Sequence, residues 1–260
     1  MTSGVKGQQV TTGPKPFARI RQNRREGAWT MTDHKGIGRL KEYVFIDRLL
    51  VRRNIRKTQS DFVGTMLDIG CGEQPYKHEF KHIDKYISID RDKADIVHDL
   101  TKFPYPLATE TIDTVLCTFV IDDIFDKEAF VQEINRLLTS NGRLIMSVSF
   151  VWELHDLPYD YGRPSSEFLR LLLERNGFES IEIYPIGNSW TTLGQVLNLN
   201  LGNLMVKNQV KRRSWLRLIS PVTMANSLFF HGLGLLLHNR ATELLPMGFY
   251  LTARKRRTLQ

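Results

Sequence analysis

Thr65-Met66-Leu67-Asp68-Ile69-Gly70-Cys71-Gly72 is the stretch that decides the fold. An apolar run that ends in an acid and then Gly-x-Gly reads as a buried parallel strand running into a tight turn. The missing Cβ atoms of Gly70 and Gly72 let a ligand lie against the backbone. The ligand expected there is a nucleoside. A dinucleotide would call for Gly-x-Gly-x-x-Gly and no acid two residues ahead of the first Gly, because its pyrophosphate sits on backbone N–H groups at a helix N-terminus. Asp68 would repel a pyrophosphate; it suits a cationic ligand.

The following runs keep the same order. Tyr86-Ile87-Ser88-Ile89-Asp90 is a second β-branched and aromatic run ending in an acid. It falls about 20 residues on, where a nucleotide-binding βαβ unit places a ribose-binding carboxylate. Ala94 to Val97 is a third run, leading to Asp99-Leu100. Ile112-Asp113-Thr114-Val115-Leu116-Cys117 is a fourth, followed by Phe119.

This acid-Gly-x-Gly pattern resembles motif I of the class I S-adenosylmethionine-dependent methyltransferases, and the resemblance extends over roughly Asp61 to Ile186. It implies an α/β, Rossmann-like, seven-stranded methyltransferase sheet with helices on both faces, and S-adenosylmethionine as cofactor. The cofactor's ammonium and sulfonium charges account for the acid. Asp68, Gly70, Cys71, Gly72, Asp90, Asp99, Leu100 and Phe119 are the cofactor-binding residues it implies, with Asp99 and Leu100 beside the adenine. One position departs: many members have a third Gly where this chain has Gln74, followed by Pro75 and Tyr76, so the turn is expected to be shaped differently.

Charge is segregated along the chain. Over residues 1–60 there are 14 Lys and Arg against 4 Asp and Glu; over 61–182, 12 against 23; over 183–260, 10 against 1. An acidic core between basic flanks points to an anionic partner for the flanks, either a phospholipid surface, a pyrophosphate-linked substrate or nucleic acid, or else to flanks that simply solvate the ends. Cys71 in the Gly turn and Cys117 in a strand are expected to be small, buried and reduced. No Cys/His spacing suits a metal.

Residues 1–36 are rich in Gly, Thr, Gln and Arg, poor in large apolar residues, and expected to be a disordered basic arm. They lack the apolar region of a secretory signal, so a cytoplasmic location is expected. Residues 37–60 hold an N-terminal helix with Leu40, Tyr43, Ile46 and Leu50 at helical intervals. In the family such a helix often packs over the cofactor. Asp126 to Ser140 reads as a helix capped by Asp126 and stopped by Asn141-Gly142; its inward stripe is Phe130, Ile134, Leu137 and Leu138. Arg143 to Phe150 follows as the fifth strand. Ser165 to Asn176 reads as a helix with Phe168, Leu171 and Leu172 inward and Gly177 as terminator, and Phe178 to Ile186 as the sixth strand.

The family plan closes with a seventh, antiparallel strand, which Met247 to Ala253 supplies. The methyltransferase domain is thus expected over 61–186 and 243–260, with a helical insertion over 187–242 before the last strand. The insertion has apolar helical segments at about Trp190 to Val206 and Val222 to His238, flanking a basic stretch with Lys211, Arg212, Arg213, Trp215 and Arg217. Spanning needs ~20 apolar residues, which the second segment lacks. An interfacial helix pair on the inner face of an anionic membrane, packing on the sheet and a dimer contact all fit; the oligomeric state is not fixed.

His155 is the candidate general base, in Trp152-Glu153-Leu154-His155-Asp156-Leu157-Pro158-Tyr159-Asp160-Tyr161-Gly162-Arg163-Pro164. This loop leaves the C-terminal end of the fifth strand, the edge at which open α/β sheets bind ligands. It resembles a loop of bacterial methyltransferases from glycan and natural-product pathways. That implies acceptor-binding roles for Tyr159, Tyr161 and Arg163, and an acceptor that is a sugar, a lipid-linked glycan or another small molecule, methylated on oxygen. A structural loop with Arg163 paired to Asp160 is the competing reading. Asp122 and Asp123 are further bases or helix caps. Amino-methylating nucleic-acid enzymes resemble one another in an Asn/Asp-Pro-Pro-aromatic segment where this chain has Thr118-Phe119-Val120-Ile121-Asp122, so nucleic acid is disfavoured. An RNA methyltransferase with a basic clamp, and a catalytically silent binding protein of the same fold, remain open as alternatives.

Overall fold

The computed structural model describes residues 45–155, 158–207 and 212–257. The basic arm expected over 1–36, along with Leu40, Tyr43, Asp156 and Leu157, lies outside them. The described residues belong to one compact unit, Arg39–Gln260.

Seven strands form one sheet: β1 Gly64–Ile69, β2 Ile83–Asp90, β3 Ile96–Val97, β4 Ile112–Thr118, β5 Leu138–Ser149, β6 Phe178–Ile186 and β7 Gly248–Lys255. Their order is β3-β2-β1-β4-β5-β7-β6. The first five pair in parallel, and β7 runs antiparallel between β5 and β6. The strand order reverses between β1 and β4, so the crevice outside their C-terminal ends is where such a sheet takes a ligand.

Both faces of the sheet are covered. The helices are α1 Phe45–Thr58, α2 Lys127–Leu137, α3 Ser166–Arg175, α4 Ser189–Lys207 and α5 Arg212–Leu236. Period-two alternation splits β1 cleanly. Leu67 and Ile69 join the core under α2 and α3, and Met66 joins the core under α1. On α2, Asp126 caps the first turn by accepting from Ala129 N at 3.0 Å. Phe130, Val131, Ile134 and Leu137 are fully buried, each stabilising the fold by about 1.5–3 kcal/mol relative to exposure. The other face is roofed by α1, whose Ile46, Leu50, Val51 and Ile55 pack with Tyr76, Phe80 and Tyr250. The Thr58 and Tyr250 hydroxyls, 2.7 Å apart, fasten the end of α1 to β7.

The crossover from β1 to β2 carries no α-helix, although such connections usually do. It holds only a 3₁₀ turn, Lys77–Glu79. Arg52 and Arg56 of α1 grip this segment through Glu79, at 2.9 and 2.6 Å.

Three local expectations are corrected. α2 ends at Leu137, and Leu138 is already extended and paired with Ile112, so Asn141-Gly142 bends β5 and does not stop the helix. On α3 the buried residues are Leu169 and Leu173, with Phe168 and Leu171 exposed and Leu172 partly buried. With five of the six residues 168–173 apolar, the inward stripe is hidden from a periodicity reading. In the insertion, Arg212, Arg213, Trp215 and Arg217 belong to α5 itself, not to a stretch between helices.

Candidate active site at the Gly turn

The turn after β1 sets the site. Gly70 has φ +70° and Gly72 φ +49°, both left-handed. A Cβ on Gly70 would lie 2.2 Å from Val120 Cγ2, so the loop after β4 itself demands glycine there. A Cβ on Gly72 would meet nothing within 4 Å. Gly72 therefore opens onto free space, where a ligand can approach the backbone.

Gln74, which stands where the resemblance implies a third Gly, adopts a left-handed conformation of the kind that favours glycine, with φ +53°. Its N–H donates to Cys71 O at 2.8 Å. Its side-chain Nε2 donates to Ser88 Oγ at 3.3 Å, while its Oε1 accepts from Lys77 Nζ at 3.2 Å. These bonds offset the roughly 1–2 kcal/mol that a non-glycine residue loses in this region.

Asp68 is buried and accepts from the Tyr86 hydroxyl through Oδ2. Its Oδ1 is buried with no hydrogen-bond partner among the described residues. Burial raises its pKa to about 7; the Tyr86 hydrogen bond opposes that rise and the Asp90 charge adds to it. Asp90, at the end of β2, accepts from Gly72 N at 2.8 Å through Oδ2 and from Arg91 N at 2.6 Å through Oδ1. An orphaned, acidic, buried oxygen beside an open Gly turn, with a second carboxylate on the turn, fits a cationic nucleoside.

The remaining expected cofactor residues lie along the same edge. Asp99 Oδ1 accepts from Thr101 N and Oγ1, at 3.1 and 2.8 Å, and these bonds hold its carboxyl below the usual range. Leu100 is buried in the core. Phe119 turns with φ +57° directly after β4, and its N–H donates to Ser147 O. Cys71 and Cys117 are buried free thiols, with burial pushing Cys71 up to about 11.

The loop after β5 is tied in by one buried pair. Arg163 makes a two-point contact with Asp160, with Nη2 at 2.8 Å from Oδ2 and Nη1 on Oδ1. Nη2 also donates to Glu153 O at 2.8 Å. Asp160 accepts from His155 N at 3.0 Å as well. Burial would raise the Asp160 pKa, but these hydrogen bonds and the Arg163 charge outweigh it and hold the carboxyl low. Arg163, read from the sequence as an acceptor clamp, thus has its two terminal nitrogens on its own loop.

His155 Nδ1 lies 3.1 Å from Glu153 O and 3.0 Å from Arg163 Nη2. When Nδ1–H donates to Glu153 O, Nε2 is left to accept a proton; when Nδ1 accepts from Arg163, Nε2 carries one. Asp122 and Asp123 lie in a 3₁₀ turn after β4 and do not cap α2, which Asp126 does. Asp122 is fully buried and accepts from Ser149 N at 3.2 Å, and burial raises its pKa.

Tyr159 and Tyr161 are exposed on this loop, as is Leu154. The Arg91 guanidinium lies 5.7 Å from the Tyr159 ring centre, so the loop reaches the residue next to Asp90. Tyr161 stands edge-on to the exposed Phe125 at 5.4 Å, with its N–H on Asp122 O. Sequence reading missed Tyr86, Val120, Gln74 as a glycine surrogate, and Arg91. Strand parity alone signals Tyr86: Asp68 pairs with Ser88, so Tyr86 shares their face. Among the described residues no group of three or more His, Cys, Asp or Glu side chains could hold a metal ion.

Strand order, the acid-Gly-x-Gly turn and the acid at the end of β2 are those of a Rossmann-like methyltransferase fold. Residues 67–146 match the family model described as a methyltransferase domain, and this segment is a methyltransferase domain for S-adenosylmethionine. Solved structures similar to it include a methyltransferase from Archaeoglobus fulgidus, 15% identical, with 80% of this chain and 94% of that one covered and a TM-score of 0.49. The [4+2]-cyclase SpnF is 18% identical, with 82% and 81% covered and a TM-score of 0.49. Phosphoethanolamine N-methyltransferase 2 of Haemonchus contortus, solved with S-adenosylmethionine, is 16% identical, with 75% and 49% covered and a TM-score of 0.44. No curated protein is significantly similar to the chain.

Proposed function

We propose that the enzyme transfers the methyl group of S-adenosylmethionine to a hydroxyl of a sugar, a lipid-linked glycan or another small molecule held under the loop after β5. The observation that carries this reading is the Arg91–Tyr159 contact, which brings an exposed aromatic rim next to Asp90. Flat aromatic faces suit the C–H faces of a sugar or an apolar ring, and Asp160 and Arg163 hold the loop in place.

When bound, the cofactor supplies an electrophilic methyl whose leaving group departs neutral. The protein's main task is then alignment, which can supply ~7–11 kcal/mol of the barrier. A hydroxyl must also lose its proton, and a general base contributes ~10²–10⁴-fold. His155 Nε2 serves in the tautomer that donates Nδ1–H to Glu153 O; Asp122 is the other nearby acceptor.

Calorimetric titration with S-adenosylmethionine and S-adenosylhomocysteine establishes cofactor affinity first. Transfer of labelled methyl to a panel of sugars, lipid-linked glycans, amines and RNA then tests the acceptor. Saturable transfer to a hydroxyl compound, lowered at least tenfold by Tyr159→Ala with cofactor affinity unchanged, is expected. Transfer only to amines or RNA would overturn the reading.

A further inference from the structure

The helical hairpin α4–α5 is inverted with respect to water. In a water-soluble helix pair the apolar faces meet and polar residues face out. Here the interface is polar and small. Asn198 Nδ2 donates to Ser227 Oγ at 2.7 Å and to Thr223 O at 3.1 Å. Asn226 Nδ2 donates to Asn198 Oδ1 and Gly194 O, each at 2.8 Å. Asn188 Nδ2 reaches Gly234 O at 2.9 Å. A Cβ on Gly194 would lie 2.7 Å from Phe230 Cβ, so the helices approach closely where the side chain is absent.

The outer face is the converse. Between residues 221 and 236 every exposed position of α5 is apolar, Pro or Gly, with Phe229 63% and Leu236 80% exposed. On α4, Leu193, Leu197, Leu201 and Leu204 form an exposed stripe at helical spacing. Small residues and side-chain hydrogen bonds between helices, with Leu and Phe outside, are how helices pack when their surroundings are lipid.

Charge decides among the possible occupants. Residues 183–242 contain six Lys and Arg and no Asp or Glu. Where α1 meets α5, a cleft of about 430 Å³ is lined by Leu49, Leu50, Arg52 and Arg56, the two arginines paired with Glu79, and by Arg53 and Lys57, with His231 opposite. A second copy of the chain would set two faces with an excess of cations against each other. An anionic leaflet complements both the cations and the apolar stripe. Among the described residues no helix is long and apolar enough to cross a membrane.

We propose that the α4–α5 hairpin lies in the surface of an anionic phospholipid bilayer, its apolar face among the acyl chains and the α1 cleft on headgroup phosphates. This is independent of the acceptor's identity, because its readout is binding, not turnover.

The test is sedimentation of the full chain with vesicles of phosphatidylcholine alone and of phosphatidylcholine with phosphatidylglycerol in equal parts. Binding to the mixed vesicles is expected to be at least tenfold tighter and to weaken with salt. It should fall at least tenfold in the double variant Phe229→Glu/Leu236→Glu, and in Arg53→Glu/Lys57→Glu, which spares the two arginines on Glu79. A dye on Leu236→Cys should shift to the blue with mixed vesicles only, a readout that survives if a charged variant misfolds. Absence of sedimentation, binding equal to the parent in folded variants, or a concentration-dependent dimer dissolved by Phe229→Glu/Leu236→Glu with no affinity for lipid would each overturn the proposal.

Discussion

The Tyr86 hydroxyl donates to Oδ2 of Asp68, while Oδ1 of the same buried carboxyl has no partner among the described residues. Folding raises the Asp68 pKa from 3.8 to about 7, chiefly by burial. Between those values the folded chain holds a proton that the unfolded chain has lost. Stability from this group is therefore intact below about pH 4, falls as pH rises toward 7, and is level above that. The span corresponds to about 4 kcal/mol. Asp68→Asn should be more stable than the parent near pH 8 by up to that amount, with the gap closing near pH 4. Urea unfolding at several pH values measures it, and a gap independent of pH would refute the assignment.

A cationic cofactor beside Asp68 favours the charged carboxylate. Binding of S-adenosylmethionine near pH 6.5 should then release a proton from the parent and less from Asp68→Asn. Calorimetry in buffers of different ionisation enthalpy reads the proton count directly. Equal release from both proteins would place the cation elsewhere.

Gly70 and Gly72 should respond differently to alanine. At Gly70 the new Cβ strikes Val120, so Gly70→Ala should destabilise the free protein, and adding Val120→Ala should recover part of the loss. Gly72→Ala meets no atom and should cost the free protein only the ~1–2 kcal/mol of a left-handed alanine. Its cofactor affinity should nevertheless fall sharply. Thermal melts with and without S-adenosylhomocysteine separate the two effects.

Asp90 holds the turn through Gly72 N and has the position of a ribose carboxylate. Asp90→Ala should weaken S-adenosylmethionine at least tenfold with the fold intact. Unchanged affinity in a titration would remove Asp90 from the site.

Breaking the Arg163–Asp160 pair strands a carboxyl whose side chain is 1% exposed. Removing one partner of such a pair costs about 3–5 kcal/mol. Here that cost should appear as loop opening. Arg163→Ala should speed protease cutting between residues 151 and 164, and Arg163→Lys should fall between, since an ammonium cannot make the two-point contact. A cutting pattern like the parent's would show that the loop is held by other contacts.

The sheet could be expected from the sequence because Asp68 with Gly70 and Gly72 after β1, and Asp90 at the end of β2, carry the resemblance that implies it, and these residues do not depend on packing. The C-terminal end of α2 and the inward face of α3 could not. Leu138 leaves the helix to pair with Ile112, a contact 26 residues away in sequence, and α3 offers too many apolar choices. At the site, Asp68, Gly70, Gly72 and Asp90 follow from their types and spacing. Tyr86, Val120 and Arg91 do not, because each is defined by a neighbour on another strand or loop. Gln74 looked like a defect in the turn, yet its side-chain bonds let it take a glycine's conformation.

The helix-free crossover after β1 has a consequence for the boundaries of the enzyme. Met66, Leu116, Ile145 and Tyr250 are shielded by Ile46, Val51 and Ile55, which precede the sheet. A fragment trimmed to begin at Asp61, just ahead of β1, would leave that face bare and release Glu79 from its two arginines. The smallest autonomous folded piece must therefore start upstream of α1, well before residue 67, where the match to the methyltransferase-domain model begins.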